Sequence, residues 1–279
     1  MLHKRQGGYC MKTVNGRKRL IAAHRGVCGG NIPGNTTAAF ELALRFGTDI
    51  IELDVAKDAE GELFVFHPGL EPVHLKSEKP ISEMTTDEVL KQHLINRDSI
   101  FTQFGLERFR DVMKNLKGRC IVNVDKFWMA PKEISEVIYE LGMEKEVIIK
   151  TPPKPVCFEM VKKYAPDMPY MPILLEEDNC MDVIKGMNIN CIGAEVCFTT
   201  ENAQVASDEF IERMHSEGYV IWVNAIIFDH KRILTAGHSD DESVVNSPDN
   251  GWGWLLKKNF DIIQTDWPSL LNDYMDNYI

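Results

Sequence analysis

Along the chain, short β-branched and apolar runs alternate with stretches in which apolar residues recur every three or four positions, with turn residues between them. The runs at 20–24, 49–55, 120–125, 146–150, 170–175, 191–197, 220–225 and 261–265 predict eight strands. The segments 36–46, 106–115, 132–141, 156–164, 208–217 and 252–258 have the spacing of amphipathic helices. In the first of them Asn35 is placed to cap the helix, Ala39, Phe40, Ala43 and Leu44 form the apolar stripe, Glu41 faces water and Gly47 supplies the stop. Eight β-then-α units within about 250 residues predict a (β/α)8 barrel, and near-continuous apolar strands fit burial on both faces. A doubly wound open sheet is the alternative.

One unit is irregular. Lys57-Asp58-Ala59-Glu60-Gly61 reads as a turn, and the strand-like 62–67 after it predicts that strand two continues into a β-hairpin. Residues 68–99 are a polar excursion too long for an ordinary connection, expected to cap the top of the barrel, where barrel active sites sit. No Gly/Ser linker divides the chain, so we expect an arm, 1–18, followed by a single barrel domain, 19–279.

Composition narrows the classes. At 279 residues, 44% hydrophobic and 26% charged, the chain is neither disordered nor collagen-like. Lys plus Arg number 31 against 42 Asp plus Glu, and the net charge of −11 argues against sequence-independent binding to nucleic acid or to an anionic membrane. No apolar run is long enough to cross a bilayer, and the basic start lacks the apolar stretch of a secretory signal, so no stable membrane insertion is expected. The seven cysteines are scattered and never in a C-x-x-C pair, which reads as reduced thiols in a cytoplasmic protein rather than a disulfide framework or a zinc site.

In a barrel the strand ends face the active site, so their polar residues are the ones that matter. Strand one ends in His24-Arg25-Gly26, a proton carrier beside a cation able to grip phosphate at two points. On strand two, period two puts Glu52 and Asp54 on one face and Ile51, Leu53 and Val55 on the other. Two unpaired anions in an apolar wall oppose each other's ionisation, and a cation is the simplest remedy. Oxygen ligands without a Cys or His cluster favour one Mg²⁺ or Ca²⁺ ion over zinc. Asp125, alternating with Asn123 on strand three, is placed as a third carboxylate, and His67 as a second proton carrier facing His24.

His24-Arg25-Gly26, Pro33-Gly34-Asn35-Thr36, Ile51-Glu52-Leu53-Asp54-Val55, Val65-Phe66-His67 and Gln264-Thr265-Asp266-Trp267-Pro268 together resemble the glycerophosphodiester phosphodiesterase family over residues 20–271. The resemblance implies a barrel with one divalent cation, two catalytic histidines and a small-molecule phosphodiester substrate such as glycerophosphocholine or glycerophosphoethanolamine. Carried over residue by residue, it implies that His24 and His67 are the histidines, that Arg25 binds phosphate, and that Glu52 and Asp54 are metal ligands. The third ligand is usually Glu in an N-x-E-x-K strand; here Asp125 stands in its place, as in the sphingomyelinase D branch, and Phe127 replaces the lysine. Lys150, ending strand four, is the candidate for the missing cation, and Trp222, where the family carries an aromatic, for a substrate wall. Gly34 replaces the acid of the family's P-E-N-T motif, which bears on the substrate more than on the reaction. Residues 226–251 are also longer than usual. His3, His74, His93, His215, His230 and His238 lack site context and are expected at the surface.

The reading is therefore metal-dependent hydrolysis of a glycerol-type phosphodiester to sn-glycerol 3-phosphate and an alcohol, by two histidines, through a cyclic phosphate. Its alternatives are a catalytically altered barrel that binds a phosphorylated ligand and a sphingomyelinase-D-like lyase. A glycoside hydrolase would also pair carboxylates, but it needs them on opposite sides of the scissile bond.

Overall fold

The computed structural model describes residues 2–5, 8–11, 19–227 and 231–277. Of the expected arm 1–18, only the antiparallel pair Leu2–Arg5 and Gly8–Met11 falls within them. His230, and the side chain of His3, lie outside the described residues.

All eight expected strands form: β1 (Leu20–Ala23), β2 (Ile50–Lys57), β3 (Ile121–Asp125), β4 (Val147–Thr151), β5 (Tyr170–Leu175), β6 (Gly193–Cys197), β7 (Val220–Asn224) and β8 (Ile262–Thr265). Each runs parallel to its neighbour in chain order, and β8 pairs with β1, Thr265 beside Ala23, closing the barrel and excluding an open sheet. Outward residues such as Ile51, Leu53, Val122 and Ile149 pack against the surrounding helices in the main core. Inward residues at the lower end, among them Leu20, Ile50, Ile121, Ile148, Met171 and Ile262, fill the barrel with an apolar layer.

The first helix, Thr37–Arg45, buries Ala39, Phe40 and Ala43, with Leu44 partly buried, and Gly47 follows at φ +77°. Its cap, however, is Thr36, whose hydroxyl accepts from the Ala39 N–H. Asn35 is committed elsewhere, in a left-handed conformation at φ +58° with its amide turned into the barrel.

The expected hairpin is present: Leu63–Val65 runs antiparallel to the end of β2, Val55 beside Val65. Residues 68–99 are structured, with short helices Glu71–His74 and Thr86–Leu90 and a strand, His93–Ile95, paired to Phe101–Gly105. This cap has its own apolar core of Phe64, Phe66, Leu75, Met84, Val89 and Leu94. No helix among the described residues is long and apolar enough to cross a membrane.

Candidate active site

Along the inside of the strands, the residue above the apolar layer is polar. The pleat carries Ile50 to Glu52 to Asp54, and Ile121 to Asn123 to Asp125, so carboxylates from two paired strands meet at the top. Glu52, Asp54 and Asp125 each offer an oxygen within 4.8 Å of the others. Glu52 and Asp54 are almost fully buried, at 3% and 1% exposure. Burial, followed by the neighbouring charge of Asp54, pushes the Glu52 carboxyl up to about 7. Burial acts on Asp54 in the same sense, but Arg25, His67 and Lys126 outweigh it and hold that group below the usual carboxylate range.

Backbone conformation sets the surroundings of the cluster. Arg25 sits at φ +56°, donating its N–H to Glu52 at 2.9 Å while its Nε reaches Asp54 at 2.8 Å. Asn35 donates to the same Asp54 oxygen at 2.9 Å and accepts from the Asp54 N–H at 3.2 Å. The Oδ1 of Asp125 is buried with no hydrogen-bond partner among the described residues. Three converging carboxylates, one with an orphaned buried oxygen and one driven toward neutrality, form a donor set that fits a hard divalent cation.

The two expected histidines flank this cluster. His24 is fixed through Nδ1 to Asp266 at 2.9 Å, and His67 through Nδ1 to the Pro68 carbonyl at 2.9 Å, with Nε2 4.0 Å from Asp54. Burial disfavours charge on both. Asp266 and Glu52 outweigh it at His24, whose pKa is raised; at His67 the favourable Asp54 does not, and Arg25 and Lys126 add to the lowering.

Among the described residues two lysines reach the polar cavity, Lys150 and one that strand parity does not point to. Phe127 is fully buried in the core, but the residue before it, Lys126, takes φ +62° and turns its ammonium onto Asp125 at 2.6 Å and Asp54 at 3.9 Å. The sequence admits Lys126 only as an ion-pair partner of Asp125, because strand alternation puts it on the outer face; the left-handed turn at the end of β3 reverses that. Lys150 reaches the polar cavity, but its ammonium pairs with Glu195 at 2.7 Å and lies 3.1 Å above the Trp222 ring. Trp222, expected in a substrate wall, has no exposed surface here; it lies inside the barrel beneath Lys150 and donates to Gln264 at 3.1 Å.

Three histidines expected at the surface are also engaged. His74 lines the cavity under the cap, His215 pairs with Asp261 at 2.9 Å, and His238 stacks on Trp254 with ring centroids 3.9 Å apart. His93 is exposed as expected. From the long segment 226–251, the buried Asp240 accepts from Trp252 Nε1 at 2.8 Å, Thr265 Oγ1 at 2.7 Å and the Asp266 N–H at 2.8 Å. It thereby holds the residue that holds His24. No motif marks it, since a loop aspartate has no periodicity to betray its burial.

A family model described as a domain of unknown function matches residues 170–275. A 74-residue stretch is 39% identical to a glycerophosphodiester phosphodiesterase of Caldanaerobacter subterraneus subsp. tengcongensis, covering 26% of this chain and 30% of that protein. A 47-residue stretch is 55% identical to a glycerophosphodiester phosphodiesterase of Bacillus altitudinis, covering 17% and 19%. These matches thus span less than a third of either curated relative. The fold is shared over far more. A glycerophosphoryl diester phosphodiesterase from Parabacteroides distasonis superposes with a TM-score of 0.77 at 19% identity, covering 94% of this chain and 88% of that one. An Oleispira antarctica phosphodiesterase, solved with its product sn-glycerol-3-phosphate, does so at 0.69 and 14% identity, covering 92% and 96%.

Proposed function

We propose that this chain is a divergent member of the glycerophosphodiester phosphodiesterase family and a cytoplasmic phosphoric diester hydrolase that cleaves a glycerophosphodiester to sn-glycerol 3-phosphate and an alcohol, its catalytic unit being the barrel 19–279. The observation that carries the reading is the convergence of Glu52, Asp54 and Asp125 between His24 and His67, with Arg25 tied to two of the three carboxylates.

Glu52, Asp54 and Asp125 would hold one Mg²⁺ or Ca²⁺ ion, which supplies charge neutralisation at the phosphoryl oxygens. With the ion bound, the guanidinium of Arg25 is placed to share its grip between Asp54 and a phosphate oxygen, and Lys126 and Lys150 add positive charge along the polar cavity. The two imidazoles, anchored through Nδ1 on either side, remove a proton from the attacking hydroxyl and return one to the leaving alcohol. When the glycerol 2-hydroxyl attacks first, a cyclic phosphate forms and water then opens it. A barrel that merely binds a phosphorylated ligand has less support than Gly34 and Phe127 alone suggest, since Lys126 restores the cation that Phe127 removes.

A turnover screen over glycerophosphodiesters with Mg²⁺, Ca²⁺ or EDTA, followed by phosphorus NMR, tests this. Metal-dependent appearance of sn-glycerol 3-phosphate is expected. Accumulation of a cyclic phosphate would move the chain to the lyase class. Absence of turnover with every diester and both metals would overturn the hydrolase reading.

A further inference from the structure

Two cavities meet at His24, Arg25 and His67. One, of about 350 Å³, is the upper interior of the barrel, and its walls include the carboxylate cluster with Lys150, Asn224 and Gln264. The other, of about 410 Å³, lies between the cap and the loop after β1, walled by Ile32, Pro33, Phe66, Val73, Leu94 and Ile95. The two ester arms of a phosphodiester diverge from phosphorus. With phosphorus held at the three shared residues, one arm enters each cavity. The barrel cavity brings acids, lysines and amides to the hydroxyls of a glycerol arm, whereas the cap cavity sets a run of aliphatic and aromatic side chains beside His74, Asn96, Arg97 and Ser99.

Resting on the hydrolase reading, we propose that the alcohol released into the cap cavity is bulky, apolar and free of positive charge, and that Gly34 and Arg97 set this preference. A quaternary ammonium is held by carboxylates or by a cage of aromatic faces. Among the described residues lining the cap cavity the one carboxylate, Asp266, is bound to His24, and the one benzene ring is Phe66. Gly34 leaves its part of the wall without the family's acid, while Arg97 brings an exposed guanidinium to the same cavity. A cationic head group entering there meets Arg25 and Arg97, and the one acid among the described lining residues is already paired with His24. The volume is also in the range that encloses ligands many times the size of ethanolamine.

The reaction itself balances without a further reagent. A glycerol or water oxygen forms the new bond to phosphorus, and the bond to the alcohol oxygen breaks. That oxygen keeps the electron pair and takes a proton from an imidazole.

The test compares kcat/KM of the metal-loaded protein for sn-glycerol-3-phosphate diesters of benzyl alcohol, cyclohexylmethanol and choline; choline is the most acidic of these alcohols and the best leaving group, so its intrinsic reactivity works against the expected order. The benzyl and cyclohexylmethyl diesters should exceed the choline diester by about tenfold or more. Arg97→Glu should raise the choline value several-fold. Val73→Asp, at a position 57% exposed and so tolerant of change, should lower the benzyl value by about tenfold and the choline value by less than about threefold. Equal or faster turnover of the choline diester would overturn the inference while leaving the hydrolase reading in place. No turnover of any diester would remove both.

Discussion

Two levels of the same barrel, one pleat apart, are built on opposite principles. Below, Ile50, Ile121, Ile148 and Ile262 close the interior with aliphatic side chains. Two residues further along the same strands stand Glu52, Asn123, Lys150 and Gln264, all at least nine-tenths buried and all polar. The lower level gains free energy by leaving water; the upper level gives some of it up to hold charges where water is scarce. Stability and chemistry are thus segregated along each strand, and substitutions at the two levels should fail in different ways.

The largest effect is expected at the upper level. Glu52→Gln or Asp125→Asn should reduce turnover below about a thousandth, as EDTA should for the parent protein, because each removes charge that serves the transition state. In EDTA, Glu52→Gln should melt no lower than the parent, since it deletes a buried charge that burial and Asp54 already oppose. Calorimetry beside initial rates checks both halves, and a fall of several degrees in melting temperature would break the segregation.

Next come the histidines. His24→Ala and His67→Ala should each lower kcat by about 10²–10⁴-fold with KM much less affected, because proton transfer is confined to the transition state. A variant retaining more than about a tenth of parental kcat would remove that residue from the acid/base pair. At the lower level the pattern should invert. Ile148→Ala should cost about 2–4 kcal/mol in urea unfolding and leave kcat at about 20 °C within about threefold, since the cavity it opens lies in the apolar layer below the site.

The smallest effect concerns a pair outside both levels. Asp261, hydrogen-bonded and opposite in charge, raises the pKa of His215 above its ordinary value against the opposing effect of burial. The folded state therefore binds the proton more tightly than the unfolded one. This contribution is complete below about pH 6.5 and is lost as pH rises through the folded-state pKa. It should amount to less than about 1 kcal/mol. His215→Gln should flatten that portion of the stability profile, and an unchanged profile would deny the pair any role.

How much of the molecule is legible in its sequence follows the same division. Inside strands, alternation decides which way a side chain points, so the residue pattern of β2 and β3 is enough to reveal Glu52, Asp54 and Asp125. At strand ends the rule lapses. Arg25, Asn35 and Lys126 all adopt left-handed backbone conformations, and the inward turn of the last two escapes a sequence reading because neither capping preference nor parity foresees a reversal of the chain. Asp240 and His74 lie in connections, where position is fixed by tertiary packing alone.

The bond between His24 and Asp266 joins residues 242 positions apart, one beyond the first barrel strand and the other beyond the last. The orientation of His24 therefore depends on a contact of very long range, since loop closure over most of the described chain must precede it. A barrel halted short of β8 would present β1 as an open edge and leave His24 without the partner that orients it. The eighth barrel strand thus completes the wall and fixes the His24 ring in one event, so a barrel opened at that seam also loses the orientation of His24.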